Sequence, residues 1–279
     1  MKRDAADFLV AEHGLPISKA CAAVGISRTA FYRRPPSTTA DEPVVDTLNV
    51  VVTKHPRWGF WKCFGWLRLN GWSWNHKRVL RVYRAMRLNL PRRTKRRVPK
   101  RARRSMEVPA AANVVWSVDF MSDALYHGRR FRTLNVFDEG VREVLEIVID
   151  TSIPSGRVAR TLEQLRQWRG IPTAIRCDNG PELLGEPFVA WCRENEVEIH
   201  DIQPGKPNQN AYIERFNRTY RSEVLNAYLF ETLGDVRRVT DRWLVEYNEE
   251  RPHDALGRTP PRVFREALEK EVSTLAVST

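Results

Sequence analysis

The sequence predicts an α/β protein in which small all-α units precede a mixed β-sheet with helices on both faces. Apolar segments after residue 113 alternate between strand-like and helix-like periods. Residues 1–105 contain 24 Lys and Arg against 6 Asp and Glu, a net charge of +18, whereas residues 106–279 have a net charge of −6. The second part also places Asp119, Asp178 and Glu214 in or beside apolar segments, which indicates a site built on the sheet.

The bulk composition narrows the class of protein. A chain of 279 residues with 42% hydrophobic content suits one or two domains with small appendages. No apolar run approaches the eighteen residues of a membrane span, and the N-terminus lacks the apolar stretch of a signal peptide. The four cysteines form no Cys-x-x-Cys pair, so we expect no zinc site and a reduced, cytoplasmic location. The basic first part indicates a polyanionic partner such as DNA, with simple solubility as the alternative.

Residues 1–36 are predicted to form a helix-turn-helix-like segment, with the pattern itself over residues 14–34. We expect a first helix to begin near Ser18 and end at Gly25, and Ser27 to cap a second helix. Arg28 and Thr29 on that second helix are the candidate DNA contacts. An ordinary helical hairpin is the alternative.

Residues 41–90 predict a second helical unit, with helices over residues 43–52, 62–70 and 75–86. Arg78 and Arg81 lie on one stripe of the last helix, which Asn75 is expected to cap. In a basic domain such a stripe favours phosphate contact over a merely solvated face.

Residues 91–108 form a basic segment, in which nine of the thirteen residues from 92 to 104 are Lys or Arg. Mutual repulsion predicts an extended chain without a partner and salt-dependent binding along a duplex, while a solvated linker is the plainer interpretation. The candidate DNA contacts here are Arg92, Arg93, Lys95, Arg96 and Arg97.

The pattern from residue 109 to 270 predicts one α/β domain that is large enough to be a catalytic core, followed by a tail over 271–279. Strands are expected over residues 114–120, 131–137, 143–149, 173–177 and 197–202, and helices over 155–169, 187–195, 211–225 and 232–250. The resulting order β-β-β-α-β-α-β-α is that of the ribonuclease-H-like fold, in which the first and fourth strands are neighbours at the centre of the sheet.

This topology would bring three carboxylates together. Asp119 lies on the first strand, Asp178 follows the fourth, and Glu214 opens a late helix. Mg²⁺ prefers oxygen ligands, and two such ions can assist phosphodiester chemistry, so the trio predicts a two-metal site at which Mn²⁺ is expected to substitute. Three ordinary surface acids are the alternative.

Basic and polar residues surround this predicted site. Arg218 and Arg221 follow Glu214 at i+4 and i+7, on one helical face, and are candidate phosphate clamps, with an intrahelical ion pair as the alternative. Asn208 lies in a polar, turn-rich segment that is expected to meet substrate.

Three segments then resemble a known family. WSVD at 116–119, DNGPE at 178–182 and PNQNAYIERFN at 207–217 are similar to the catalytic core of bacterial insertion-sequence transposases of the second-frame (OrfB) type, which are related to retroviral integrases. Residues 56–87 and YNEERPH at 247–253 resemble two further regions of that family. Residues 138–143 and 183–185 depart from the usual family pattern, and neither departure removes a carboxylate.

The resemblance implies a DNA transposase. Asp119, Asp178 and Glu214 would bind Mg²⁺, and Arg221 would match the basic residue seven positions after the glutamate. The implied partners are insertion-element ends and target DNA, a first-frame transposase protein and further copies of the chain. Two alternatives are a non-catalytic DNA-binding repressor with an inactive core and a ribonuclease-H-like nuclease that only hydrolyses.

Overall fold

The computed structural model describes residues 2–32, 41–90, 111–202 and 210–277, with side chains described as far as residue 271. The chain folds into two compact units. The first comprises Met1–Lys54 with Asn75–Leu88, and the second comprises His55–Trp74 with Asn89–Thr279. None of the described helices is long and apolar enough to cross a membrane.

The described part of the first unit is helical. Its helices are α1 (Lys2–His13), α2 (Ile17–Val24), α3 (Arg28–Tyr32), α4 (Glu42–Lys54) and α6 (His76–Ala85), while α5 (Phe60–Leu69) belongs to the second unit. In α4, Val44, Leu48 and Val51 recur at helical spacing and are buried. Asn75 Oδ1 accepts a hydrogen bond from the Lys77 amide at 2.9 Å and so caps α6, as predicted.

The two short helices expected over residues 14–34 are present as α2 and α3, while their assignment as a DNA-binding helix-turn-helix stays a prediction. Gly25 ends α2 with a φ of 66°, a left-handed conformation that glycine adopts without steric cost. Ser27 Oγ accepts a hydrogen bond from the Ala30 amide at 3.1 Å and caps α3. Cys21 and Phe31 pack with Ala6 of α1 in a small apolar core. Helix α1 was not predicted from the sequence, because its contribution to this core is the small side chain of Ala6.

The second unit is built on a five-stranded mixed sheet. Its strands are β1 (Val115–Ala124), β2 (Arg130–Asp138), β3 (Glu143–Asp150), β4 (Ala174–Cys177) and β5 (Glu198–Asp201). Their order in the sheet is β3-β2-β1-β4-β5. The pairs β1–β2 and β2–β3 are antiparallel, whereas β1–β4 and β4–β5 are parallel. The predicted ribonuclease-H-like arrangement is thereby confirmed, with the first and fourth strands adjacent.

Helices cover both faces of this sheet. They are α7 (Ser155–Arg169), α8 (Glu186–Glu194), α9 (Ala211–Tyr220) with a π-helical turn at Arg221–Leu225, α10 (Leu233–Glu249), a 3₁₀ turn at Asp254–Leu256, and α11 (Pro261–Val277). One apolar core joins the sheet to α7 and α8 through residues such as Leu162 and Phe188. A second core joins it to α9 and α10 through Phe216 and Trp243. The sheet residues therefore alternate between two packed faces.

Three buried carboxylates lie where β2 turns into β3. Asp138, Glu139 and Glu143 are each at most 2% exposed. Arg169 Nη2 lies 2.8 Å from Glu143 and 3.4 Å from Asp138, and Arg176 Nη1 lies 3.0 Å from Glu139. Burial raises the pKa values of Asp138 and Glu139, and the nearby guanidinium groups oppose that rise. These acids stabilise the turn by ion pairing within the fold.

Two elements of the second unit differ from the sequence interpretation. Helix α5 falls within the predicted helical domain over residues 41–90, yet it packs within the second unit, where a Cβ added to Gly65 would lie 3.0 Å from Pro252. Helix α11 extends to Val277, through residues predicted as a tail. The proposed domain boundaries remain a prediction.

Candidate active site

Asp119 lies on β1, the central strand of the sheet, opposite Asn135 of β2. The carboxylate is partly buried. Its Oδ1 accepts a hydrogen bond from the Phe120 amide at 2.8 Å, and its Oδ2 accepts one from Asn217 Nδ2 at 2.6 Å. Both oxygens are therefore oriented by the fold.

Asn217 links this carboxylate to the interior of the sheet. Its Oδ1 accepts a hydrogen bond from Asn135 Nδ2 at 2.7 Å, and Asn135 is fully buried. The two amides and Asp119 form a chain of hydrogen bonds across β2, α9 and β1. The sequence interpretation missed Asn217, although it lies at i+3 from Glu214 and so on the same helical face.

Asp178 immediately follows β4, as predicted, and its side chain is exposed. Its Oδ1 accepts a hydrogen bond from the Gly180 amide at 3.1 Å, which closes an Asx turn. Strands β1 and β4 pair in parallel, with Ser117 opposite Arg176. Asp178 is thus two residues beyond Arg176, and Asp119 is two residues beyond Ser117, so they occupy equivalent levels on neighbouring strands.

Glu182 at the end of the DNGPE segment is tied to the sheet. Its carboxylate forms an ion pair with Arg132 of β2, and the Arg132 guanidinium lies 4.5 Å from the centre of the Phe120 ring. The pKa of Glu182 is lowered, chiefly by the hydrogen bond from Arg132. This pairing anchors the loop that carries Asp178.

Glu214 lies in the first turn of α9, whose buried side faces the sheet through Ile213, Phe216 and Tyr220. Arg218 is exposed and donates from Nε to the Glu214 backbone carbonyl at 3.3 Å, rather than to the Glu214 carboxylate.

Arg221 lies at the start of the π-helical turn. Its Nη1 donates to Asp123 Oδ2 at 3.0 Å, and its Nη2 donates to the Ser122 carbonyl at 2.8 Å. This pairing holds the turn against β1.

The other two predicted carboxylates act electrostatically on Asp119. Burial raises the pKa of Asp119 to about 6, and the negative charges of Asp178 and Glu214 contribute to the rise, against the hydrogen bonds from Phe120 and Asn217. Nevertheless, within the described ranges no group of three or more His, Cys, Asp or Glu side chains is arranged to hold a metal ion. The fold places Asp119 and Asp178 at the same level of neighbouring strands, and the charge of Glu214 also acts on Asp119.

The donor chemistry of this trio fits a hard divalent cation. All three candidate ligands are carboxylates, carried by a strand, a strand-following loop and a helix. Oxygen ligands of this kind suit Mg²⁺, which keeps several of its own waters and needs few protein ligands. A cation there would also offset the burial and the repulsion that together raise the pKa of Asp119.

The predicted DNA contacts lie in different surroundings. Arg28 and Thr29 are exposed on α3. Arg78 Nε and Arg81 Nη2 lie 2.9 Å and 2.7 Å from the two carboxylate oxygens of Asp41, and both arginines remain partly exposed. Their role in DNA binding stays a prediction.

The other predicted contacts lie outside the described residues. These are Arg92, Arg93, Lys95, Arg96, Arg97 and Asn208.

Comparison with known proteins relates most of this chain to one family. The integrase core domain family matches residues 109–207 and again residues 195–261. The chain is 37% identical over 263 residues to an uncharacterized 39.2 kDa protein of insertion element IS476 from Xanthomonas euvesicatoria, covering 94% of this chain and 76% of that protein. It is 39% identical over 246 residues to a 31.7 kDa protein of insertion element IS407 from Burkholderia multivorans, covering 88% and 89% respectively. Among solved structures, the trimeric HTLV-2 integrase catalytic core domain in complex with magnesium aligns at 17% identity with a TM-score of 0.46, covering 56% of this chain and 99% of that one.

Proposed function

Because the chain belongs to the integrase-core family of insertion-element proteins, we propose that it is the catalytic subunit of a DNA transposase. Membership supports a nucleic-acid-modifying enzyme of the transposase or integrase type in general terms. The specific proposal is that it cleaves DNA at the ends of an insertion element and joins the resulting 3′-hydroxyl to target DNA.

One observation carries the proposal. Asp119 lies on the central strand with Asp178 at the same level of the adjacent parallel strand, and the charges of Asp178 and Glu214 both act on its pKa. Two negative charges that act on a partly buried carboxylate from separate elements raise the free energy of its charged form, so this arrangement disfavours folding and is typical of functional sites.

The proposed roles follow from the surroundings of each side chain. Asp119, Asp178 and Glu214 would hold two Mg²⁺ ions, with Mn²⁺ able to substitute. Ions bound there would activate the attacking oxygen and neutralise charge on the leaving oxygen. Asn217 orients Asp119 through its 2.6 Å hydrogen bond. We propose that the exposed guanidinium of Arg218, one helical turn from Glu214, binds a DNA phosphate.

The remaining partners are also part of the proposal. The basic residues between 1 and 105 would bind element ends, with phosphate contacts that weaken as salt concentration rises. We propose that copies of the chain assemble on DNA and hold the two ends of one element together. A first-frame protein would share end recognition.

The test compares the purified full-length protein with two Asn variants. Asp178→Asn removes a proposed ligand charge, and Asp201→Asn is the matched control, because Asp201 ends the neighbouring strand β5 and lies opposite Cys177. Each protein is incubated with end-labelled DNA from the element's own terminus and Mg²⁺, with and without the first-frame protein. We expect cleaved and joined products from the wild type and from Asp201→Asn, and none from Asp178→Asn.

Other results would redirect the assignment. Cleavage without joining by the wild type would indicate a nuclease, and DNA binding with no cleavage under either condition would indicate a repressor. Equal activity of Asp178→Asn and the wild type would contradict the assignment of the carboxylates.

A further inference from the structure

A separate cavity in the second unit is lined by several positively charged side chains. It has a volume of about 90 Å³ and is bounded by α5, the β2–β3 turn, α9 and the segment that follows α10. Its lining residues include Lys62, Arg142, Arg215, Arg251 and His253 together with one acid, Asp254, and we call it the basic pocket. One ordered water needs roughly 10–15 Å³, so the pocket has room for a small polyatomic ion.

Arg142 is the most unusual of these side chains. It is only 8% exposed, its guanidinium lies 3.6 Å from the centre of the Tyr212 ring, and Nη1 has no hydrogen-bond partner in the described structure. Its backbone also has a left-handed φ of 58°, which is strained for a residue with a Cβ. A buried guanidinium nitrogen without an acceptor is costly, so this arrangement is well suited to an acceptor supplied by a ligand.

His253 supports the same conclusion from the other side of the pocket. Its Nε2 is buried and has no partner within the described residues. Burial lowers the pKa of His253, and the positive charges of Arg251, Lys62, Arg215 and Arg142 lower it further. The imidazole is therefore neutral near pH 7, because four cationic side chains and burial both disfavour its protonated form.

The charges around the pocket are unbalanced. Arg251 forms an ion pair with Glu223, but among the described side chains Lys62, Arg142 and Arg215 have no carboxylate within 4.0 Å. Burial, followed by the charge of Arg251, lowers the pKa of Lys62 to about 8. Among the described lining residues, four cationic side chains stand against one carboxylate, that of Asp254, so the net charge around the cavity is positive and attracts an anion.

We propose that the basic pocket binds a tetrahedral phosphate-type oxyanion through Arg142, Lys62 and His253. An oxyanion would accept from the unpartnered Arg142 Nη1 and reduce the repulsion among the cations. None of the three proposed catalytic carboxylates lines the pocket. Arg215 follows Glu214 by one residue, so the two side chains leave helix α9 in directions that differ by about 100°. We assign the oxyanion to a phosphodiester group of bound DNA, and this assignment alone rests on the proposed function. Free phosphate is the other source of the same chemistry.

The first arm of the test measures oxyanion binding by the full-length protein. Melting temperature is followed against inorganic phosphate, with chloride at matched ionic strength as the reference. At a hundredfold excess over Kd, we expect a rise of about 5 °C or more for the wild type. Arg142→Gln and Lys62→Met should each lose most of that rise, whereas Arg193→Gln, an exposed arginine on α8, should keep it.

The variants also carry an internal check on folding. Gln and Arg have the same left-handed backbone cost. Arg142→Gln removes an unsatisfied guanidinium nitrogen but also the contact with the Tyr212 ring, and because these two effects oppose one another its melting temperature without phosphate should stay close to that of the wild type. If one variant fails to fold, the other still tests the pocket. An unchanged phosphate-dependent rise in both folded variants would overturn the proposal.

The second arm identifies the source of the oxyanion. Binding is measured to element-end duplexes that carry a neutral methylphosphonate at one backbone position at a time. Loss of affinity at one position in the wild type, but not in Arg142→Gln, would assign the pocket to that DNA phosphate. Identical position profiles, together with loss of the phosphate-dependent rise, would support a free phosphate-type ligand. Inactive carboxylates would leave both arms unchanged, so failure of the catalytic assignment can be told apart from failure of this one.

Discussion

Replacing Asn217 by Ala should test whether the amide chain positions Asp119. The substitution removes the 2.6 Å hydrogen bond to the Asp119 carboxylate and the 2.7 Å hydrogen bond from Asn135. A hydrogen bond to a charged group contributes about 1.5–3 kcal/mol, and a buried amide left without a partner costs about 1–3 kcal/mol. Because these effects overlap, we expect the free energy of unfolding to fall by about 2–4 kcal/mol.

The buried position of Asn135 makes the prediction sharper. Asn135 is fully buried and its Oδ1 already lacks a partner, so Asn217→Ala would leave the whole amide unsatisfied. Asn135→Leu removes that amide while keeping a similar volume. In the double variant, the loss of stability should therefore be smaller than the sum of the two single losses, by about 1–2 kcal/mol.

Urea unfolding followed by tryptophan fluorescence measures these differences, and DNA cleavage measured at a temperature where every variant is folded reports on catalysis. Asn226→Ala is the control, because Asn226 is an exposed asparagine at the end of the π-helical turn. We expect Asn217→Ala to lose cleavage activity beyond its unfolded fraction. A change in unfolding free energy below about 0.5 kcal/mol, with additive double-variant behaviour, would refute the reasoning.

Three further predictions use other parts of the second unit. A Cβ on Gly140 would lie 2.0 Å from the Ala111 carbonyl oxygen, so Gly140→Ala should cost about 3 kcal/mol in urea unfolding, whereas Gly156→Ala in α7 should be neutral or stabilising. The pKa of Lys62 is about 8 in the folded protein against an ordinary value of 10.5, so the unfolded chain binds more protons than the folded protein between these two pH values. The wild type should therefore gain stability relative to Lys62→Met as pH rises through that window. A stability difference between the two proteins that stays constant with pH would contradict the burial assigned to Lys62. The Arg221 ion pair is partly exposed, so Arg221→Gln should lower stability by less than about 1 kcal/mol. If Arg221 also contacts a DNA phosphate, the salt dependence of DNA binding should fall by about one unit of slope.

Much of the secondary structure could be predicted because its signals are local. Helix α7 has the predicted bounds, and Ser27 and Asn75 act as the expected caps. The strands were found from alternating or continuous apolar runs, and their order was enough to place β1 beside β4. Since Asp178 directly follows β4, its position near Asp119 was also predictable.

Other features depend on contacts between distant segments. The sequence does not mark Asn135 as the partner of Asn217, which lies 82 positions away. Helix α5 was assigned to a DNA-binding domain because sequence periodicity reports that one helical face is buried, but not which unit buries it.

The basic pocket shows the same limit most clearly. Lys62, Arg142, Arg215 and His253 are single residues in four separate segments, and each would be unremarkable on a solvated surface. Local patterns determined the elements and the carboxylate positions, because backbone hydrogen bonding and apolar period act over a few residues. Only the packed chain decided which polar groups meet away from water, because burial and charge interactions depend on distance in space.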